Sequence, residues 1–532
     1  MKEGFRQSMA WLHTWSGLLV GWILFMVFAA GTASYFRDEM TLWMKPELHA
    51  AAPARVPQAA AIDLARKTLE AKAGTSRRWF ITMPTRRNPA LEAGWIPAPP
   101  KGAAPDARPK RRNFGSVTID PATGQELVKA RATRGGDFFF RLHFDLHYMS
   151  ALWGRWIVGF CAMFMLVAVL SGIVTHKRIF KDFFTFRPGK GQRSWLDAHN
   201  VSAVLALPYH LMITYTGLVT LMFMYLPAGV QAVYHDRSEA FYADLNGGPA
   251  GTTKPSKELA PLAPLGPMVA EASRLWQGAP VGRITVTNPG HANATVNLVL
   301  QEGRDMTQDL PNLVFDGATG KLLSDPAHAS GGAVQTRGVL YGLHVGRFAD
   351  PFVRALFFVS GLAGCAMVAT GLLMWAVKER PRHLKVRKDG SIGFGLRLVD
   401  GLNVAGIAGL LAAMPVFFWA NRLVPVGGAG RADVEIAWFF GAWAVAAVSG
   451  LAFPTRWMWR LQLAVGGALF ALLPVLNAAT GGAGLATSLS QGLWAIAGFD
   501  LVSLLLGVLL LAAAYRLRAR TAAAPRLAER AA

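Results

Sequence analysis

The stretch Trp11-Leu-His13-Thr-Trp15-Ser-Gly17-Leu-Leu-Val-Gly21-Trp-Ile-Leu-Phe-Met-Val-Phe-Ala-Ala-Gly31-Thr-Ala-Ser-Tyr-Phe36 decides the class of fold. It carries no Asp, Glu, Lys or Arg and exceeds the roughly 20 residues that a helix needs to cross a bilayer. Seven similar runs follow, at about 150–175, 199–226, 352–377, 399–420, 434–453, 457–477 and 491–515. The expected fold class is therefore mainly α, a polytopic helical membrane protein of about eight spans. Composition agrees: the 532 residues are 52% hydrophobic and 16% charged. That balance excludes a disordered chain, a coiled coil and an ordinary soluble enzyme. The first run follows Met1-Lys-Glu-Gly-Phe-Arg6 without a small-residue cleavage site, so it reads as an uncleaved signal anchor.

The 54 Lys and Arg against 32 Asp and Glu leave a net charge of +22. Such an excess can signal nucleic acid, but here the bases cluster just beyond apolar runs, which points to a lipid bilayer and no nucleic acid. The 177–197 loop holds Lys177, Arg178, Lys181, Arg187, Lys190 and Arg193. The 378–397 loop is as basic, Arg456 and Arg460 flank the next turn, and five arginines follow the last span. The alternate loops are poorer: 421–433 has two arginines and 478–490 no charge. The positive-inside rule then puts both termini and all basic loops in the cytoplasm.

Two long polar segments must lie outside. Each shows a helical stretch (Ala59 to Ala73; Pro267 to Trp276) before a run with β-branched residues (Val117 to Ile119; Ile284 to Thr287), as expected of two small α+β domains. Pro and Arg near 84–112 read as a loose loop. The expected order is a first span (1–36), an outer domain (37–145), spans two and three around a basic loop (146–226), a second outer domain (227–345), a fourth span (346–380) and a four-span appendix with a basic tail (381–532).

Both outer segments share a turn. Asp120-Pro-Ala-Thr-Gly-Gln-Glu-Leu127 matches Asp316-Gly-Ala-Thr-Gly-Lys-Leu-Leu323, and a Leu-His pair follows each, His147 after 27 residues and His344 after 28. Ser171-Gly172-Ile173 and Thr370-Gly371-Leu372 close the next spans, while His13 precedes Gly31, and His199 precedes Gly217, by 18 residues. Residues 1–176 and 199–377 thus read as parallel repeats about an axis along the membrane normal. The last four spans contain no histidine.

Among twelve histidines, His13 and His199 occupy matching cytoplasmic span ends, and His147 and His344 matching outer positions. One interfacial histidine is ordinarily amphipathic trim. Two from equivalent places in two repeats face each other across the axis, which suits axial ligation of a haem iron from both sides. Zinc or copper also accepts imidazole, but zinc usually takes three or four protein ligands and the pattern adds no carboxylate or thiolate. Gly17 and Gly21 leave room for a flat macrocycle, or simply for close helix packing. His210, 11 residues beyond His199, shares its helix face roughly 16 Å along the axis. It is an alternative ligand for a second haem or a relay. His143, one turn before His147, can replace or orient it, and His176 can compete with His13 or His199; all three can equally be supporting or proton-handling groups. Tryptophans near span ends fit the interfacial belt. No GxGxxG fingerprint, phosphate loop or HExxH motif occurs, and the two cysteines, Cys161 and Cys365, make no CxxC pair.

Trp11-Leu-His-Thr-Trp-Ser-Gly17, Leu142-His-Phe-Asp-Leu-His-Tyr-Met-Ser-Ala-Leu-Trp-Gly-Arg155, Asp197-Ala-His-Asn200 and Leu343-His-Val-Gly-Arg347 resemble the PepSY-associated transmembrane-helix family, over about 1–380. The resemblance implies a bacterial inner-membrane protein, often iron-regulated, with PepSY-like outer domains. Some members are di-haem reductases of ferric siderophores in the periplasm. It also implies that His13, His147, His199 and His344 match the family's four recurring histidines. The additional four spans, and His176 and His210, depart from its smallest members.

The expected function is a membrane oxidoreductase: two b-type haems pass electrons outward from a quinol or a soluble cytoplasmic donor to a ferric siderophore. Reduction loosens the chelate, because Fe(II) is the poorer partner for hard oxygen ligands. The alternatives are a non-enzymatic PepSY module regulating envelope proteases, with the spans as anchors, and a transporter. The repeat spans carry few mid-span polar residues besides His210, which counts against transport. The siderophore, the oligomeric state and the role of 399–515 are not written in the sequence.

Overall fold

A computed structural model describes residues 4–49, 57–74, 76–85, 87–97, 115–121, 123–127, 130–176, 186–237, 240–241, 245, 254–303, 305–307, 310–325, 331–386 and 391–519. Lys177, Arg178, Lys181, His328, most of the Pro- and Arg-rich stretch and the arginines from Arg520 onward lie outside the described residues. The chain divides into two compact units. One comprises 1–46, 131–218 and 351–532, and the other 47–130 and 219–350. The six consecutive segments expected from sequence are thus gathered by contact into two interleaved bodies.

The first unit is helical. Its elements are α1 (Phe5–Ser34), α2 (Asp137–Asp145), α3 (Ala151–Thr175), α4 (Gln192–Leu205), α5 (Leu207–Thr220), α6 (Pro351–Val386), α7 (Phe394–Asn403), α8 (Gly409–Leu423), α9 (Arg431–Ala452), α10 (Arg456–Ala471) and α11 (Trp494–Ala519). Each of the eight apolar runs falls on one helix or one bent pair. Six helices are long and apolar enough to cross a membrane by themselves, and eight spans result if each bent pair counts once. The chain is thus a multi-pass membrane protein by length and composition.

The bends have covalent causes. α4 and α5 meet at 68°, and α10 meets the short helix Leu473–Ala479 at 40°. Pro208 and Pro474 stand just past these breaks. Each lacks the N–H that would continue the helical ladder, and its ring crowds the carbonyl four residues back. The bend corrects the expectation that His199 and His210 share one straight face: they stand on two differently directed helices. Between α7 and α8 the helix widens into a π-turn, Val404–Ala408. There Trp22 of α1 donates Nε1–H to Asn403 Oδ1 at 2.9 Å. A side chain at Gly406 would meet the Trp22 ring at 3.2 Å.

α1 packs along α3 and α6, and α6 along α4. The last four spans join this bundle through two buried polar knots. In one, fully buried Glu435 takes a hydrogen bond from Thr133 at 2.6 Å and another from Asn421 at 2.8 Å, and pairs with Arg431. Arg431 also donates to Ala132 O at 2.9 Å, and Arg131 to Asn421 O at 3.0 Å. In the other, Asp500 accepts from Trp43 Nε1 at 2.8 Å and from Asn477 at 3.0 Å, while Arg422 stacks over Trp43 at 4.2 Å. Charges this deep are tolerable only when paired and hydrogen-bonded. Phe138 and Phe139 of α2 pack into Phe417, Phe418 and Phe439 beside them.

The second unit is α+β. Strands β1 (Arg78–Thr82), β2 (Leu91–Ile96), β3 (Gly115–Ile119), β4 (Val281–Thr287), β5 (Thr295–Leu300), β6 (Asn312–Asp316) and β7 (Leu322–Ser324) form one antiparallel sheet, order β3-β2-β1-β4-β5-β6-β7. The expectation of two separate outer domains is corrected here. β1 pairs directly with β4, Ile81 opposite Ile284, so both outer segments share one sheet. Alternation puts Ile81, Val286, Leu298 and Phe315 on one face, where Ile62 and Leu69 of helix Gln58–Ala73 and Met268 of helix Leu265–Leu275 cover them. The two matching turns fold alike. Asp120 and Asp316 O accept from Gly124 and Gly320 N–H at 2.9 Å, and both glycines have φ above 70°, where a Cβ is unfavourable.

Candidate functional site

Inside the helical unit, α1, α3, α4, α5 and α6 line a partly open cavity of about 390 Å³, within the range of cofactor pockets. Its walls are apolar, with Met165, Val169, Met367 and Leu372 among them, and it ends at Gln192, Lys378 and Glu379. Four histidines line it: His13, His176, His199 and His210.

His13 and His199 come together. Their ring centroids are 6.1 Å apart, with planes at 71°. Each Nδ1 is 2.8 Å from a main-chain carbonyl, His13 on Ala168 O of α3 and His199 on Met367 O of α6. A carbonyl can only accept, so Nδ1 carries a proton, and in the neutral ring the lone pair is then on Nε2. This is how proteins orient a metal-binding imidazole.

Each of these histidines rests on a cradle. Gly172 lies four residues after Ala168, and Gly371 four after Met367; a Cβ there would come within 3.1 Å of His13 Cε1 or 3.2 Å of His199 Cε1. The reason is helical geometry. The carbonyl of residue i lies beside residue i+4, whose side chain tilts back toward the N-terminus and covers it. Glycine leaves that carbonyl open to a ring from another helix.

The same cradle holds His143. Its Nδ1 is 2.7 Å from Val27 O of α1, and Gly31, four residues on, lies so close that a Cβ would be 2.7 Å from the ring. Burial pushes the His143 imidazole below its ordinary pKa, and the bond to Val27 acts the other way. The neutral ring is the form that ligates metal.

His147 is placed differently. It follows the end of α2, where Leu146 and Tyr148 have positive φ, and its ring stacks on Phe440 of α9 at 5.4 Å and 19°. Burial and nearby Arg134 lower its pKa. Of the two, only His143 has the anchored Nδ1 and glycine cradle. His344 belongs to the other unit, where it occupies the last turn of helix Gly332–Val345, as His143 occupies the last turn of α2.

His176 and His210 are held otherwise. His176 Nε2 is 2.9 Å from the Asn200 side-chain amide, which occupies that lone pair. His210 is fully buried; its Nε2 is 3.4 Å from Ser360 O, with Gly364 four residues beyond, and among the described residues its Nδ1 makes no well-formed hydrogen bond.

The pair fits a haem. Two imidazoles on opposite sides of a metal, each nitrogen about 2 Å from it, have centroids roughly 6 Å apart. Among the described residues no three His, Cys, Asp or Glu cluster as a bare ion would need. A porphyrin brings four donors of its own and asks the protein for only the axial two. Sequence reasoning found the histidines but missed the cradle. Gly172 and Gly371 were visible only as markers of duplication, and their purpose appears once a ring from another helix is laid over the preceding turn.

Fold and cavity together define a polytopic helical membrane protein with a paired-imidazole site inside its bundle. Residues 10–378 match the PepSY-associated TM region, and the chain belongs to that family. An uncharacterized protein of Pseudomonas aeruginosa is 27% identical over 391 residues, covering 70% of this chain and 92% of that relative. The last four spans lie beyond the matched region.

Proposed function

We propose that the protein is a haem-containing electron-transfer protein of the bacterial inner membrane that reduces ferric siderophores on the periplasmic side. The observation that supports this best is the pair of imidazoles from α1 and α4, both anchored through Nδ1 and separated by the span of one metal centre. A haem b bound there supplies a one-electron couple within the bilayer.

The protein's own residues do the rest. His13 and His199 bind and orient through Nε2. Ala168 and Met367 carbonyls fix the ring planes and raise ligand basicity. The apolar walls would limit the access of water to a group held there and so tune its potential. In this proposal a second haem b lies at the outer level, with His143 taking the place first given to His147. His344 occupies the matching place in the sequence of the second repeat. Electrons enter from a quinol or a soluble cytoplasmic donor and leave to a ferric chelate, whose iron is released more readily once reduced.

The test is a visible spectrum with haem quantification on purified wild type, His13→Ala and His199→Ala. Wild type is expected to carry about two haems, and each variant to lose the same one while keeping the other. A colourless preparation from haem-replete cells refutes the proposal, and so does unchanged haem content in both variants. The first result would favour an envelope-regulating role with structural histidines.

A further inference from the structure

His210 has no role in the ligand set above, yet it is the most deeply buried of the cavity histidines. It is fully buried, on α5 just beyond the bend. Phe28 of α1 stands edge-on to its ring at 6.1 Å, and the Tyr209 ring is 5.9 Å away. Nε2 reaches Ser360 O only at 3.4 Å, and among the described residues Nδ1 makes no well-formed hydrogen bond, although the Ala203 carbonyl also acts on the ring. Buried polar atoms are normally well satisfied, so a ring nitrogen with no well-formed hydrogen bond in this cavity calls for an explanation. Packing gives none, because a leucine or phenylalanine would fill the space without the cost of an unmet hydrogen bond.

Its surroundings limit the chemistry. The titratable groups that share the cavity are His13 from α1, His176 after α3, His199 from α4, and Lys378 and Glu379 of α6 at the mouth. The phenols of Tyr209 and Tyr35 hydrogen-bond each other at 3.0 Å. No carboxylate stands against the His210 ring among the hydrogen bonds described, so no fixed counter-charge holds it protonated. Its proton affinity then follows whatever charge the cavity carries. An electron arriving between His13 and His199 removes one positive charge from the same low-dielectric enclosure, where such changes act strongly.

We propose that His210 is a redox-linked proton acceptor that takes up a proton when the His13–His199 centre is reduced and releases it on oxidation. This rests on the proposed haem site. The step balances: one electron enters from the donor, one proton enters from water at the Gln192–Lys378–Glu379 mouth, one N–H bond forms at Nδ1, and both leave on reoxidation. His210 is a positioning group for charge and is not a ligand.

The test is a redox titration of full-length holoprotein in detergent at several pH values from about 5 to 8, where an imidazole is able to titrate. The haem to follow is the one lost in His13→Ala. In wild type its midpoint potential is expected to fall with rising pH, approaching about 59 mV per pH unit where one proton accompanies one electron. In His210→Gln and His210→Leu the slope should vanish while both haems stay bound; in His176→Gln it should persist. A flat wild-type profile overturns the proposal. An unchanged slope in both His210 variants does too, as does loss of the slope in His176→Gln. Loss of haem in the His210 variants would make it a ligand and also overturn it. Absence of haem from wild type instead defeats the haem reading itself.

Discussion

Gly31→Ala tests the cradle where the fit is tightest. The new Cβ would stand 2.7 Å from Cε1 and Nδ1 of His143, whose Nδ1 is 2.7 Å from Val27 O. Carbon atoms settle about 3.5–4.0 Å apart, so the ring must withdraw by roughly 1 Å. That stretches its bond to the carbonyl beyond the range of a hydrogen bond. The lost bond costs about 0.5–1.5 kcal/mol of stability. The lost orientation is expected to weaken a metal held by this ring by about 10–100-fold, or roughly 1.4–2.8 kcal/mol. At Gly172 the corresponding approach is 3.1 Å, so a shift of a few tenths of an ångström suffices and the effect should be smaller. Gly441, with nothing within 4 Å, is the control. The assay is haem retention by the purified variants against a haem-scavenging protein, followed by absorbance. Loss should rank Gly31→Ala above Gly172→Ala, with Gly441→Ala like wild type. Equal retention in Gly31→Ala and Gly441→Ala would mean that the open carbonyl of Val27 does not hold the His143 ring for ligation.

Three more outcomes follow from the geometry. If a second haem is bound as proposed, His143→Ala should remove it and His147→Ala should leave it, read from the same spectra, because of the two only His143 is anchored through Nδ1; the opposite result restores the order expected from sequence. Glu435→Ala strands Arg431 without its carboxylate and should cost about 3–5 kcal/mol, seen as a lower melting temperature in detergent, while Glu435→Gln should cost less because it still accepts from Thr133. The Asp316 carboxylate accepts main-chain N–H bonds from Ala318 and Thr319 at 3.0 and 2.8 Å, and those bonds hold its pKa below the usual value. A pKa lowered by folding means stability that is present above the unfolded value of about 3.9 and lost as pH falls through the folded one. Asp316→Ala should therefore reduce stability at neutral pH and flatten its fall in acid, measured by denaturant unfolding across pH; an unchanged acid profile contradicts this.

The membrane helices were legible because each needs only one local property, twenty or so apolar residues, and every expected run coincides with a helix or bent pair. The breaks were legible in principle from Pro208 and Pro474, whose missing N–H groups dictate them. The fusion of two outer segments was not, because β1–β4 pairing is a contact between residues 78–82 and 281–287 that no local pattern encodes. At the candidate site, spacing brought His13 and His199 forward and the structure sets them side by side. Counting from the repeated turn put His147 forward with His143 as its alternative, and spacing is blind to which of the two rings reaches a carbonyl. The knots around Glu435 and Asp500 carried a signal that went unused: acids and arginines bordering or inside apolar runs are expensive and need partners.

The shared sheet has a bearing on how the protein is made. When β1 emerges, the edge that it will give to β4 has no partner, and about 200 residues, including two more membrane-spanning runs, separate Thr82 from Val281. At ribosomal speeds of 5–20 residues per second, that edge stands open for on the order of 10–40 s. An open edge is a template for any passing strand. Biogenesis therefore contains an interval in which the first half waits, half-built, for the second, and guarding that interval is a task for the cell rather than for the finished fold.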